Sequence, residues 1–109
     1  MTEGYEPKPI PTLVTQTQVT FGSTLTCNAH EKISALSNIS LSALTYNALD
    51  PMPTGRTLIG VNFLWTNSGI LVPVDILVNR SDQTISIQLY NPSDSAVTFS
   101  GLRLLMFWE

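Results

Sequence analysis

From Thr57 to Trp108 the sequence places apolar residues at every second position, and turn formers close each alternating run. Ile59, Val61, Phe63 and Trp65 share one side of the first run, and Asn67-Ser68-Gly69 follows as a tight turn. Ile70, Val72, Val74, Ile76 and Val78 share one side of the next, with Pro73 and Asp75 opposite, and Asn79 to Asp82 turns the chain again. Ile85, Ile87 and Leu89 then alternate with Ser86, Gln88 and Tyr90 up to the turn Asn91 to Ser95. Successive side chains of a β-strand point to opposite faces, so a period of two predicts strands with one face buried. The last run changes phase: Val97 and Phe99 are odd, whereas Leu102, Leu104, Met106 and Trp108 are even. A bulge at Ser100-Gly101 absorbs that slip of one residue.

The first half carries the same signal more weakly. In Thr12 to Phe21, Leu13, Val19 and Phe21 share a face with Thr15 and Thr17, and Gln16, Gln18 and Thr20 share the other. Thr and Val at this density favour strand over helix. Between Ser23 and Asn47, Ile39, Leu41 and Ala43 alternate with Ser40 and Ser42, which predicts strand, because so many Ser and Asn make a poor helix. Leu49 to Gly55 reads as loop. Strands separated by regular turn signals predict an all-β chain folded as an antiparallel β-sandwich of the jelly-roll kind. Residues 1–11 stand apart: Pro7, Pro9 and Pro11 fix the backbone and remove donors, so the chain divides into an extended N-terminal arm (1–11) and a β domain (12–109).

Only 12% of the 109 residues are charged, while 13 Thr and 11 Ser supply a large neutral polar surface. The net charge is −3, and Lys8, Lys32, Arg56, Arg80 and Arg103 are scattered singly. Nucleic acid is therefore not an expected partner, since phosphate binding needs clustered cations. No apolar run is long enough for a membrane-crossing helix, and no secretory signal opens the chain. A single cysteine, Cys27, excludes an internal disulfide. Small domains without such a link often gain stability by oligomerising.

The final strand bears on assembly. Its second face carries Leu105 and Phe107, so both faces call for cover, either from a neighbouring subunit or from the Ser23–Asn47 segment. Leu105, Phe107 and the nearby Trp108 are the candidate subunit interface. Asp75, the lone charge in its strand, either faces water or pairs with an arginine at an interface.

Catalytic signals are sparse. Cys27 and His30 form half a zinc site, and no further Cys or His completes it within one chain. Three copies of His30 around an axis can form a metal site, but a buried Cys beside a solvated His is the simpler reading. No metal or cofactor is expected. No nucleophile elbow is present, and Asp50, Asp75, Asp82 and Asp94 are dispersed, mostly in turns, so no enzymatic activity is expected. Asn38 and Asn79 each open a glycosylation triplet to which no role is assigned. Recognition falls to aromatic residues beside amides and carboxylates, because sugars present apolar faces and polar edges. Tyr46, Asn47, Asp50, Tyr90 and Asn91 are the candidate binding residues, whereas Trp65 and Trp108 are assigned to core or interface packing.

The run TGRTLIGVNFLWTNSG, the apolar strand after it, and RSDQTISIQLYNPSDSAVTFSGLRLLMFWE resemble the C-terminal head domains of bacteriophage tail-fibre and other virion surface proteins. Those heads show G-x-x-x-I-G before an apolar strand, N-x-S-x-S-A after a later one, and a terminal apolar strand. Gly55 to Gly60, Asn91 to Ala96 and Leu102 to Trp108 occupy these places, and the likeness spans roughly residues 12–109. It implies a trimeric β-sandwich on a virion surface that attaches to a host, with a host-surface glycan as ligand and the arm fixing it to other virion proteins. A capsid decoration or tail-collar protein, and a small carbohydrate-binding module, are the alternatives.

Overall fold

Alternating Thr, Val, Ile and Leu between turn formers produce strands almost throughout the computed structural model, which describes residues 13–48, 53–66 and 70–109. The strands are β1 (Leu13–Cys27), β2 (Lys32–Ser40), β3 (Tyr46–Ala48), β4 (Leu58–Thr66), β5 (Val72–Asn79), β6 (Thr84–Tyr90) and β7 (Val97–Trp108). They form two antiparallel sheets, a four-stranded one in the order β3-β1-β7-β4 and a three-stranded one in the order β2-β6-β5. The protein is all-β, and buried side chains from both sheets form one core. The expected arm, the stretch 49–52 of the expected loop and the turn at 67–69 lie outside the described residues.

β7 organises the larger sheet because it pairs along both sides, with β1 and with β4. Leu102, Leu104, Met106 and Trp108 point inward, where Leu104 sits opposite Thr17 and Leu102 opposite Val19. Thr15 is buried there too, because its hydroxyl accepts the Trp108 indole N–H at 2.8 Å. Trp108 is only 3% exposed within the single chain, so it belongs to the chain's own core and not to a subunit interface. From the smaller sheet, Ile85, Ile87 and Leu89 enter the same core fully buried.

The slip expected at Ser100-Gly101 lies where the sequence places it: Thr20 pairs with Gly101, and the next pair is Leu25 with Phe99. β1 accommodates the change with the stretch Phe21–Thr24, and Phe21 meets Phe99 edge-on at 5.8 Å. Gly101 is required by this close approach, since a Cβ there would stand 2.6 Å from the Val19 carbonyl oxygen.

Three expectations are corrected. Leu41 and Ala43 do not continue a strand: Leu41–Ala43 is a 3-10 turn closed by the Leu44 N–H on the Leu41 carbonyl at 3.3 Å. The chain turns there because it leaves β2 in one sheet and enters β3, which pairs with β1 in the other. In β4, register shifts at Leu58/Gly60 and Phe63/Trp65 each insert one residue. Val61 and Phe63 therefore face inward as expected, whereas Trp65 pairs with outward-facing Arg103. In β5 the shift between Pro73 and Asp75 bulges Val74 outward. Ile76 and Val78 stay against the core, but Leu71 replaces Ile70 and Val72 as the buried residue, and Ile70 is 75% exposed. Both strands are sheet edges, where one side of the ladder is free and an extra residue is tolerated.

Gly101→Ala is expected to lower stability by about 1–3 kcal/mol, because a backbone oxygen cannot be moved aside without disturbing the β1–β7 ladder. Urea unfolding followed by tryptophan fluorescence measures it, with Gly22→Ala, where a Cβ meets nothing within 4 Å, as the mild control.

Candidate functional site

The residues proposed for binding do not converge. Tyr46 opens β3 opposite Val19 and is half-buried against the core. Asn47 pairs along its backbone with Gln18, while Asp50 lies outside the described residues. Tyr90 is on the other sheet, half-buried between Lys32 and Val72. Asn91 is fully buried and offers no surface to a ligand.

Asn91 is instead the tie at one end of the molecule. Its Nδ2 donates to the Cys27 carbonyl at 3.0 Å and the Ser95 carbonyl at 2.8 Å, and its Oδ1 accepts the Ser93 N–H at 2.9 Å. Its backbone N–H donates to the Glu31 carbonyl at 3.0 Å, and its carbonyl accepts the His30 N–H at 2.9 Å. The turn after β6 is thereby fastened to the turn between β1 and β2. These contacts also bring together His30 and Asp94, which sequence spacing keeps far apart, with Nε2 and Oδ1 2.7 Å from each other. The pair stands in water, its side chains 55% and 96% exposed. His30 reaches it from a left-handed backbone conformation, φ 58°. Ser93, the neighbouring hydroxyl, points back into its own turn, 2.7 Å from Asn91 Oδ1 and 2.8 Å from the Ser95 carbonyl. Cys27 is buried beneath, its thiol donating to the Glu31 carbonyl at 3.2 Å, and burial pushes its pKa up. Among the described residues no group of three or more His, Cys, Asp or Glu is placed to hold a metal ion.

Gln83 makes the matching tie at the opposite end. Its Oε1 accepts the Leu58 N–H at 2.9 Å, and its Nε2 donates to the Leu58 carbonyl at 3.0 Å and to the Arg80 carbonyl at 2.9 Å. The side chain thus serves β4 as a strand neighbour would, linking the β5–β6 turn of one sheet to the edge of the other. Sequence reading missed it, since a glutamine after a turn carries no signal of its own.

The third feature is the outer face of the four-stranded sheet. Arg103, Leu105 and Phe107 alternate with the buried residues of β7 and so project away from the core. Val14 flanks Phe107 on β1, and Trp65 flanks Arg103 on β4. The Arg103 guanidinium lies over the Trp65 ring, 4.8 Å from its centroid, while Arg103 Nε is buried with no hydrogen-bond partner among the described residues. Leu105 and Phe107, expected at a subunit interface, thus sit at the centre of a partly exposed apolar strip. Trp65, assigned to packing, is on that strip and not in the core.

Asn91→Ala is expected to cost about 3 kcal/mol, since it removes several hydrogen bonds and leaves buried carbonyls unsatisfied. Asn91→Asp fails to rescue, because an acceptor replaces the donor that meets Cys27 and Ser95. Gln83→Ala costs about 2 kcal/mol for the same reason at Leu58. His30→Ala, breaking only an exposed pair, leaves the unfolding midpoint close to that of the unmodified protein. Denaturant unfolding of the four variants checks the order. No protein-family model matches the sequence, and no curated protein or solved structure matches the chain.

Proposed function

We propose that this chain is a non-catalytic head domain that assembles with copies of itself, as a trimer, through the outer face of the four-stranded sheet, and serves on a virion surface to attach to a host glycan. The observation that carries the assembly is Arg103 Nε, a buried donor with no acceptor among the described residues, in the strip that also presents Leu105, Phe107, Val14 and Trp65. Buried donors in folded proteins are almost always paired, so a donor left open beside exposed apolar groups favours a covering surface that brings an acceptor. A second copy is the occupant that requires no other component, and closed symmetric assemblies are the commonest kind.

The strand order favours a jelly-roll-like sandwich. β1 pairs with β7 and β2 with β6, so the two ends of the chain wrap around each other in nested pairs, with β4 and β5 added beside β7 and β6. That arrangement is compatible with the resemblance to virion heads, and the surface chemistry agrees with it. Faces built from Thr, Ser, Gln and Asn present neutral hydrogen-bonding groups that salt screens little, which suits contact with neutral polymers.

Light scattering on the purified chain is expected to give three times the 11.9 kDa subunit mass, and Leu105→Asp with Phe107→Asp is expected to reduce it to one. An unmodified chain that stays monomeric at micromolar concentration overturns the assembly. Fluorescently labelled trimer is expected to adsorb to host cells and to be competed by host-surface polysaccharide; a trimer that does not adsorb overturns the attachment role.

A further inference from the structure

β1 and β2 leave the Asn28–Glu31 corner together and then part, β1 into the four-stranded sheet and β2 into the three-stranded one. Between them opens a cleft of about 550 Å³, within the range of small-molecule sites. Phe21, Leu25, Leu36, Ile39 and Leu44 supply its apolar wall, and Thr20, Ser23, Ser37 and Thr45 its hydroxyls. Among the described residues no charged side chain lines it.

The irregularities of the two strands converge on this cleft. The register shift of β1, Thr20 to Leu25, forms one wall, and both shifts of β2, Ser34/Leu36 and Leu36/Ile39, form the other. Asn38, within the last shift, has a left-handed backbone, φ 48°. β6 holds it there: the Asn38 N–H donates to Ser86 Oγ at 2.8 Å, and Thr84 Oγ1 donates to Asn38 Oδ1 at 2.9 Å. The mouth is fixed by the 3-10 turn and by the Thr20 N–H on the Thr45 carbonyl at 2.9 Å. Bulges and left-handed residues concentrate at binding sites, where they re-aim side chains and open space that a regular ladder would fill.

We infer that the cleft is a ligand site for an uncharged molecule with an aliphatic chain and a hydroxyl or ester head. The wall is aliphatic apart from Phe21, so it matches a flexible alkyl chain better than the flat face of a sugar ring. The rim both donates and accepts hydrogen bonds, which satisfies a neutral head group. A carboxylate or ammonium would lose its water there and meet no opposite charge.

The full chain is titrated with the neutral dye N-phenyl-1-naphthylamine, and the bound dye is displaced with 1-decanol, decanoate or decyltrimethylammonium. Saturable dye binding is expected, with decanol displacing at a concentration at least tenfold lower than either ion. Amide chemical-shift changes on adding decanol are expected at Thr20–Leu25 and Ser34–Ile39. Ser37→Trp, at an exposed bulge position, is expected to weaken decanol binding at least tenfold. The Leu105→Asp, Phe107→Asp double variant is expected to bind decanol as the unmodified chain does, which separates this site from the assembly face. Non-saturable binding, equal displacement by the ions, or shift changes centred on Leu105 and Phe107 overturns the inference. If Ser37→Trp does not fold, the shift map of the unmodified chain decides.

Discussion

A single buried amide sets the geometry of one end of this protein. Asn91 binds both turns that meet there, through its side chain to Cys27 and Ser95 and through its backbone to Glu31 and His30. β1 and β2 belong to different sheets, so their shared corner must be held where the sheets come together. The same amide fixes where β6 ends and β7 begins, because Asn91 and Ser95 bracket that turn. Everything downstream inherits this placement: the pairing of Cys27 with Val97, the phase slip at Gly101, and the direction in which β1 and β2 separate to open the cleft. Gln83 closes the other end with the same chemistry, one amide satisfying both backbone groups of a buried Leu58.

β7 translates that placement into two faces with different roles. Its even residues from Leu102 onward fill the core with β1, β4 and the three-stranded sheet, and its odd residues form the outward strip. In a two-layer protein one face of each sheet is expected to meet water and be polar. On the strip, Leu105 and Phe107 depart from that rule, and Arg103 keeps a buried Nε that meets no acceptor among the described residues. The neighbouring β1 obeys it in part, presenting Gln16 and Gln18 on the same face beside Val14. The departure is centred on β7 and extends to Val14 on one side and Trp65 on the other.

What the sequence made legible follows strand position. β6 and β7 are paired on both sides, so an inserted residue would break two ladders; their alternation is clean, and even the slip at Ser100-Gly101 is visible. β4 and β5 are edges, and their bulges at Ile59, Leu64 and Val74 reverse the phase with no cost to a second neighbour. Period counting therefore set Trp65 and Ile70 on the same face as the inward residues of their strands, although both are exposed. Asn91 was legible as a turn former but not as a buried tie, because its partners Cys27 and Glu31 are distant in sequence. The same distance hid the meeting of His30 with Asp94. The cleft was invisible for a related reason: its walls are defined by what the ladders omit, and Ser23 to Asn38 shows no clean period to omit it from.

Charge scarcity acquires a structural meaning from these ties. The ion pairs of His30 with Asp94 and of Arg80 with Glu109 sit at the two ends beside Asn91 and Gln83, and they are largely or partly exposed. Exposed pairs contribute little and weaken with salt. The amide ties between the sheets are instead neutral and at least partly buried: amide to carbonyl at Asn91 and amide to backbone N–H at Gln83. A neutral tie needs no counter-charge, so it can be buried without the desolvation cost of an ion pair. The surface then has no need of charge for holding the fold together, and its Thr, Ser and Gln remain available for whatever covers it. A fold whose buried ties are neutral is expected to lose little stability as ionic strength changes.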